Sequence, residues 1–197
     1  MLSSPVTSVM RRLNALLRST EAAELIEFAV SLPLLVVFMV GIFDFSSAFI
    51  LKQKIAHVAS EAARVAANQP MSDVASTGSC PVTICAIRDI VNKALTNNGI
   101  TDCGLASATA VNALGTLSWT FTGSDPNCFL TIDRGYHYDV TTLPNPPFQS
   151  NYRIEATKVT LSYPYQWSFN RAITLVIPSA NYANSPIQSV AVMQNLN

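Results

Sequence analysis

The chain has 197 residues, enough for one membrane span and one domain of moderate size. Its 12 lysines and arginines balance its 12 aspartates and glutamates, and charged residues make up only 12% of the sequence. This sparse and neutral charge argues against a protein of the basic, nucleic-acid-binding kind, so no nucleic acid is expected as a partner.

The first 22 residues are polar and carry three arginines ahead of an apolar run: Arg11, Arg12 and Arg18. Basic residues beside a span stay on the cytoplasmic side of the membrane. We therefore interpret residues 1–22 as a cytoplasmic leader.

An apolar segment runs from Leu25 to Leu51, and its only charged side chains are Glu27 and Asp44. At ~1.5 Å per residue the segment can cross a hydrocarbon core of ~30 Å, and few soluble helices are apolar on every face for this length. We predict a transmembrane helix over residues 23–51. Asp44 lies near its C-terminal end, where a carboxylate can reach the headgroups.

The sequence Ala22-Ala23-Glu24-Leu25-Ile26-Glu27-Phe28 resembles the N-terminus of TadE-like proteins, minor pilins or pseudopilins of the Tad (Flp-type) pilus system. The shared pattern is a small residue, four variable residues, then Glu-Phe opening an apolar helix. The resemblance continues through residues 41–45 and 59–67, and it returns at 159–165.

This resemblance implies cleavage by a prepilin peptidase between Ala22 and Ala23, and a free amine in the membrane that Glu27 neutralises. The family has glycine where this chain has Ala22, so the sequence leaves the cleavage open. A secretory signal peptide cut at Ser46-Ser47-Ala48 is the alternative interpretation of this region.

Beyond the span the apolar residues follow one helical stripe: Ile55, Val58, Ala59, Ala62 and Val65. Asn68-Gln69-Pro70 ends the pattern because proline does not continue a helix. We predict that residues 52–68 extend the helix into the periplasm, so that residues 23–68 form one rod of about 70 Å. The rod carries small residues that permit close packing of neighbouring helices: Ala29, Gly41, Ala48, Ala59, Ala62, Ala63 and Ala66.

Residues 69–197 are predicted to form a periplasmic or extracellular α+β domain. Cys80-Pro81 opens a second helix, with Pro81 in its first turn, and Asn97-Asn98-Gly99 ends it. Its apolar face is formed by Ile84, Ile87, Val91 and Leu95. Alternation predicts strands at residues 117–122, 136–141, 152–163 and 189–194, with turns at 123–127 and 133–135 and loops at 144–147 and 179–186. In the strand at 152–163 the apolar phase shifts, which predicts a bulge near residues 156–158.

All four cysteines follow the span: Cys80, Cys85, Cys103 and Cys128. An even number beyond a membrane segment indicates disulfides in an oxidising compartment, and therefore a C-terminus outside the cytoplasm. A straight second helix separates Cys80 and Cys85 from Cys103 by more than the ~4.4–6.8 Å between disulfide-bonded Cα atoms. This favours the pairs Cys80–Cys85 and Cys103–Cys128.

No catalytic motif is present in the sequence, and no enzyme activity, metal or other cofactor is expected. Asp133, His137 and Asp139 lie close together, and strand alternation puts His137 and Asp139 on one face. Such a group is typical of ordinary hairpin surface, and His57 is likewise a surface residue of the first helix.

The predicted fold is α+β and pilin-like, with a long transmembrane helix that continues into a periplasmic domain containing a second helix and an antiparallel sheet. The resemblance implies a minor pilin or pseudopilin of Tad pilus assembly, acting in adhesion or secretion from the bacterial inner membrane. Its implied partners are the major pilin, sibling pseudopilins of the TadE and TadF type, the inner-membrane platform, membrane lipid and a prepilin peptidase. The alternative is a secreted or membrane-tethered binding domain using exposed aromatic side chains: Tyr136, Tyr165, Trp167 and Phe169.

Overall fold

The computed structural model describes residues 20–73, 80–113, 115–141, 151–168 and 185–196. The leader apart from its last three residues, the loop at 144–147, most of the loop at 179–186, and Phe169 lie outside these ranges. The chain divides into two compact units, with the boundary in the first helix between Ser46 and Ser47. Each unit is considered by itself below.

The first helix, α1, is Thr20–Ala67 and has 48 residues. Its length agrees with the predicted rod. Pro33 lies inside it, and a proline is tolerated within an apolar span because other groups re-satisfy the freed carbonyl. After Ala67 the chain turns at Asn68 and Gln69, ahead of Pro70.

The second helix, α2, is Val82–Asn97, as the apolar periodicity predicts. Its four apolar stripe residues have at most 1% of their surface exposed: Ile84, Ile87, Val91 and Leu95. The N-terminal turn is capped from a distance, because the carboxylate of Asp73 accepts hydrogen bonds from the Thr83 N–H at 2.8 Å and the Thr83 hydroxyl at 2.9 Å. The helix is followed by Gly99, whose φ of +70° suits a glycine.

Five strands form one antiparallel sheet in the order β1-β2-β3-β4-β5. They are Ala110–Asn112, Ser118–Thr122, Phe129–Thr141, Asn151–Pro164 and Pro186–Gln194. The α+β class and the antiparallel sheet are confirmed. The three-residue β1 was not predicted, because so short a strand has no readable alternation.

The predicted turn at residues 133–135 is wrong, because these residues lie inside β3. Asp133 pairs with Lys158 and Tyr136 with Ala156, so that Arg134 and Gly135 face the single residue between. The extra residue of the bulge therefore lies in β3. The prediction of a bulge near residues 156–158, in β4, is wrong. Strand β4 keeps an unbroken register with β5 from residue 156 to 164.

The core of the second unit lies between the helices and one face of the sheet. From α1 it takes Ile55, Val58 and four alanines, and from α2 the apolar stripe described above. The sheet contributes alternating side chains of its three central strands: Trp119, Phe121, Leu130, Ile132, Val159 and Leu161. The unit is thus a two-layer α+β sandwich into which the C-terminal part of α1 is built.

Candidate functional site

The surface of α1 between Leu25 and Ile50 is apolar and uncovered. Leu25 has 69% of its surface exposed, Phe38 61% and Phe49 56%, and most large apolar side chains between them are similarly open. In the described ranges, α1 is the one helix long and apolar enough to cross a membrane. An apolar surface of this extent requires lipid or protein around it, which indicates membrane anchoring.

Glu27 lies on this surface with its side chain exposed. The first turns of α1 contain Ala22 and Ala23, so the bond at which processing is expected has helical conformation. Ala23 is exposed, as is the acid Glu24 beside it. The pairing of Glu27 with a free amine stays a prediction.

Asp44 differs from its neighbours in being buried. Its side chain is 4% exposed, whereas those of Phe43 and Phe45 are 69% and 68% exposed. Protein therefore covers the carboxylate of Asp44, which need not reach the headgroups to be tolerated in an apolar helix.

The small residues of α1 serve two different surfaces. Ala59, Ala62, Ala63 and Ala66 are at most 1% exposed and belong to the core of the chain's own domain. Their small size lets α2 and the sheet approach the helix closely. Only Ala29 and Gly41 of the predicted set lie in the apolar part of α1 with surface left for a neighbouring helix.

Three cationic side chains fix the C-terminal part of α1 to its domain. Lys52 donates a hydrogen bond of 2.6 Å to the Gln188 carbonyl of β5, and Lys54 one of 2.8 Å to the Asn98 carbonyl after α2. From β3, Arg134 donates to the carbonyls of Gln69 and Pro70. Sequence analysis missed Arg134, because no pattern marks a buried arginine inside what resembles a turn.

The four cysteines lie in two pairs at disulfide distance. Cα atoms are 6.0 Å apart in Cys80–Cys85 and 6.6 Å apart in Cys103–Cys128. The first pair joins Cys85, in the first turn of α2, to Cys80, two residues before the helix begins, and the second joins the segment after α2 to the residue that precedes β3. These are the two pairs that the sequence favours.

The charged residues of the β3–β4 hairpin form surface contacts. His137 contacts Arg153, and Arg153 lies 3.9 Å from Asp139 in an exposed ion pair. Asp133 accepts a hydrogen bond from the Gly135 N–H instead of joining them. Within the described ranges no three His, Cys, Asp or Glu side chains are grouped as metal ligands.

The aromatic side chains of the alternative binding-domain interpretation are less exposed than it requires. Tyr136, Tyr165 and Trp167 are each half-buried, and Phe169 lies outside the described residues. Their partial burial is typical of aromatic residues that pack within a fold.

Comparison with known proteins adds one finding to this geometry. No curated protein and no solved structure matches the chain. Residues 23–64, which comprise the exposed apolar part of α1 and most of the part built into the domain, match the model of a protein family described as TadE-like protein.

Proposed function

We propose that this protein is a minor pilin or pseudopilin-like component of a Tad pilus, anchored in the bacterial inner membrane by α1. The observation that carries the proposal is the exposed apolar surface of α1 within the segment that matches the TadE-like family. A structural role accords with this surface, because its chemistry is that of lateral packing against lipid and other helices. Filament biogenesis, with a contribution to adhesion or secretion, is the process it serves.

In this proposal the domain after α1 lies in the periplasm or outside the cell. The two cysteine pairs support that side of the membrane, because disulfides persist in oxidising compartments. The domain contacts other pilus components: the major pilin, sibling pseudopilins and the inner-membrane platform. Prepilin peptidase acts between Ala22 and Ala23, and Glu27 then neutralises an N-terminal amine and sets the register of neighbouring helices.

The first experiment determines the N-terminus of the mature protein by intact mass after membrane extraction. A chain starting at Ala23 supports prepilin-type processing and a filament subunit. A chain starting at Met1 supports a permanent component of the assembly machine. A start near Phe49 contradicts the membrane anchor and leaves a secreted domain.

A second experiment tests the role of Glu27 by replacing it with leucine in the encoding bacterium. Glu27→Leu is expected to reduce the pili recovered by shearing, while the protein still accumulates in the membrane. Glu24→Leu is the matched control, because Glu24 is an exposed acid in the same part of α1. Equal pilus yields from the two variants would remove the register role of Glu27.

A further inference from the structure

A cavity of about 240 Å³ lies at the bulge of β3. Its wall is formed by Met71 after α1, Leu117 before β2, the four β3 residues 134–137, and Arg153 and Glu155 of β4. Since a water molecule occupies about 30 Å³ of the liquid, the space accepts one small polar group with part of the molecule that carries it. It is smaller than the ~300–1,000 Å³ typical of pockets for drug-sized ligands.

Arg134 brings a buried positive charge to this wall. The residue is 2% exposed, and its two terminal nitrogens donate to the backbone carbonyls of Gln69 at 2.7 Å and Pro70 at 3.4 Å. Both acceptors are neutral. Among the residues that the structure describes, no carboxylate lies within 4.0 Å of the guanidinium.

Among the described residues, the third nitrogen of this guanidinium has no hydrogen-bond partner. Nε of Arg134 is buried and makes no hydrogen bond with any described group. Burial lowers the pKa of Arg134, and the negative charge of Asp73 offsets only part of that effect from a distance. A buried cation with an unused donor is unfavourable unless an anion approaches it.

Arg153 places a second guanidinium on the same wall. It contacts His137, and its ion pair with Asp139 is long, at 3.9 Å, and exposed, so that water weakens it. Arg153 therefore remains able to receive an anion. The wall also carries Glu155, and the nearby Asp139 is a second acid, so a dianion such as phosphate meets more repulsion than a monoanion does.

We propose that this cavity binds a carboxylate group, held by Arg153 and attracted by the buried charge of Arg134. A planar carboxylate matches the fork of a guanidinium, and one negative charge compensates the charge of Arg134, which no carboxylate of the described residues contacts. The carboxylate belongs either to a small organic acid, such as a sugar acid, or to the C-terminus of a polypeptide. This inference does not depend on the proposed role in a pilus.

The test uses the full chain in detergent micelles, with arginine labelled by ¹⁵N in its guanidinium, and follows the Nε–H signals by NMR. Acetate is the probe, and acetamide, its neutral analogue, and chloride, at equal ionic strength, are the controls. The Nε–H signals of Arg134 and Arg153 are expected to shift saturably with acetate alone. Arg153→Gln is expected to weaken acetate binding at least several-fold, and Lys93→Gln, which removes a positive charge from the exposed side of α2, to leave it unchanged.

Two further probes then distinguish the sources of the carboxylate. Glucuronate represents a sugar acid, and a short peptide with a free C-terminus, compared with the same peptide amidated, represents a polypeptide. Tighter binding of either identifies its class. A response to acetate that does not saturate, that acetamide reproduces, or that survives Arg153→Gln undiminished would overturn the proposal. Arg153 is exposed, so its substitution tests the site without endangering the fold.

Discussion

The guanidinium of Arg134 in β3 donates a hydrogen bond of 2.7 Å to the backbone carbonyl of Gln69, two residues after α1 ends. The end of a helix presents carbonyls without intrahelical partners and a negative partial charge. The guanidinium of Arg134, in the bulge of β3, donates hydrogen bonds to carbonyls at the end of α1, and these bonds fix the arginine side chain in place. The link between α1 and the sheet is therefore polar at the end of the helix, whereas along the helix an apolar core is supplemented by the hydrogen bond from Lys52 to Gln188.

Replacing Arg134 with alanine is expected to destabilise the domain by about 2–4 kcal/mol, because it removes two hydrogen bonds from a charged donor and leaves a cavity. The measurement is urea unfolding of the full chain in detergent, followed by near-ultraviolet circular dichroism. Arg64→Ala is the control, since Arg64 is exposed on α1. If the two variants unfold at the same urea concentration, the bond to Gln69 contributes nothing to stability.

Asp73→Asn is expected to change how stability depends on pH. Burial raises the pKa of Asp73, but hydrogen bonds from the N–H and hydroxyl of Thr83 outweigh it and hold the pKa below the ordinary 3.8. A lowered folded-state pKa means that the unfolded chain binds the proton more tightly. The stabilisation is thus complete above the ordinary value and is lost as the pH falls through the folded-state pKa.

The corresponding measurement is the free energy of unfolding of the parent chain and of Asp73→Asn from neutral pH into the acid range. At neutral pH the parent should be more stable by about 1 kcal/mol, the usual contribution of a capping side chain. This difference should shrink below the ordinary pKa of aspartate. Asp89→Asn, on the exposed side of α2, is the matched control, and a difference that persists in acid would contradict the capping role of Asp73.

The apolar periodicity of the sequence predicted the helices well. The prediction failed at residues 133–135, whose composition suits both a turn and a β-bulge. The stripe from Ile84 to Leu95 gives α2 directly, because burial of one helix face dictates the spacing. Asp133-Arg134-Gly135 resembles a turn, yet Gly135 and Asp133 serve a bulge equally well, with the Asp133 carboxylate bonded to the Gly135 N–H. Arg134 could not be identified as a site residue, because only the register of β3 against β4 turns it inward.

Gly123→Ala is expected to destabilise the region around Cys103 and Cys128. A Cβ on Gly123 would meet the backbone carbonyl oxygen of Cys103 at a distance that real Cβ atoms do not adopt, so the backbone must move. The expected loss is about 1–3 kcal/mol or more, as for other overpacked sites. Gly115→Ala is the comparison, because Gly115 has a φ of +78° but open space around it.

Urea unfolding of Gly123→Ala and Gly115→Ala distinguishes the effect of a steric clash, at Gly123, from that of backbone strain, at Gly115. The Gly115 variant is destabilised only by its left-handed backbone conformation, which costs about 1–2 kcal/mol in a residue with a Cβ. A Gly123 variant as stable as the parent would show that the Cys103 segment moves freely.

The two cysteine pairs are expected to differ in their contribution to stability. The pairs have sequence separations of 5 for Cys80–Cys85 and 25 for Cys103–Cys128. In the chain-entropy model, the bridge that closes the longer loop stabilises the folded state by about 1.4 kcal/mol more than the bridge that closes the shorter one. Intact mass without reductant should be lower than that of the reduced chain by about 2 Da per bridge, since each bond formed removes two hydrogens.

Double alanine variants of each pair, unfolded in urea, test this order. Cys103→Ala with Cys128→Ala should lose more stability than Cys80→Ala with Cys85→Ala, and the burial of Cys128 increases the difference. Equal losses would contradict the loop-length argument, and an unchanged mass on reduction would contradict both bridges.

Leucine substitutions in α1 should separate the alanines that pack the domain from those left for neighbours. Ala63 is fully buried in the domain core, so Ala63→Leu is expected to cost about 1–3 kcal/mol of domain stability through overpacking. Ala29 is exposed in the apolar part of α1, so Ala29→Leu should leave urea unfolding of the domain unchanged. Under the proposed function, Ala29→Leu should instead reduce pilus yield, because a larger side chain keeps neighbouring helices apart. A loss of domain stability in Ala29→Leu would mean that this face of α1 packs on the chain itself.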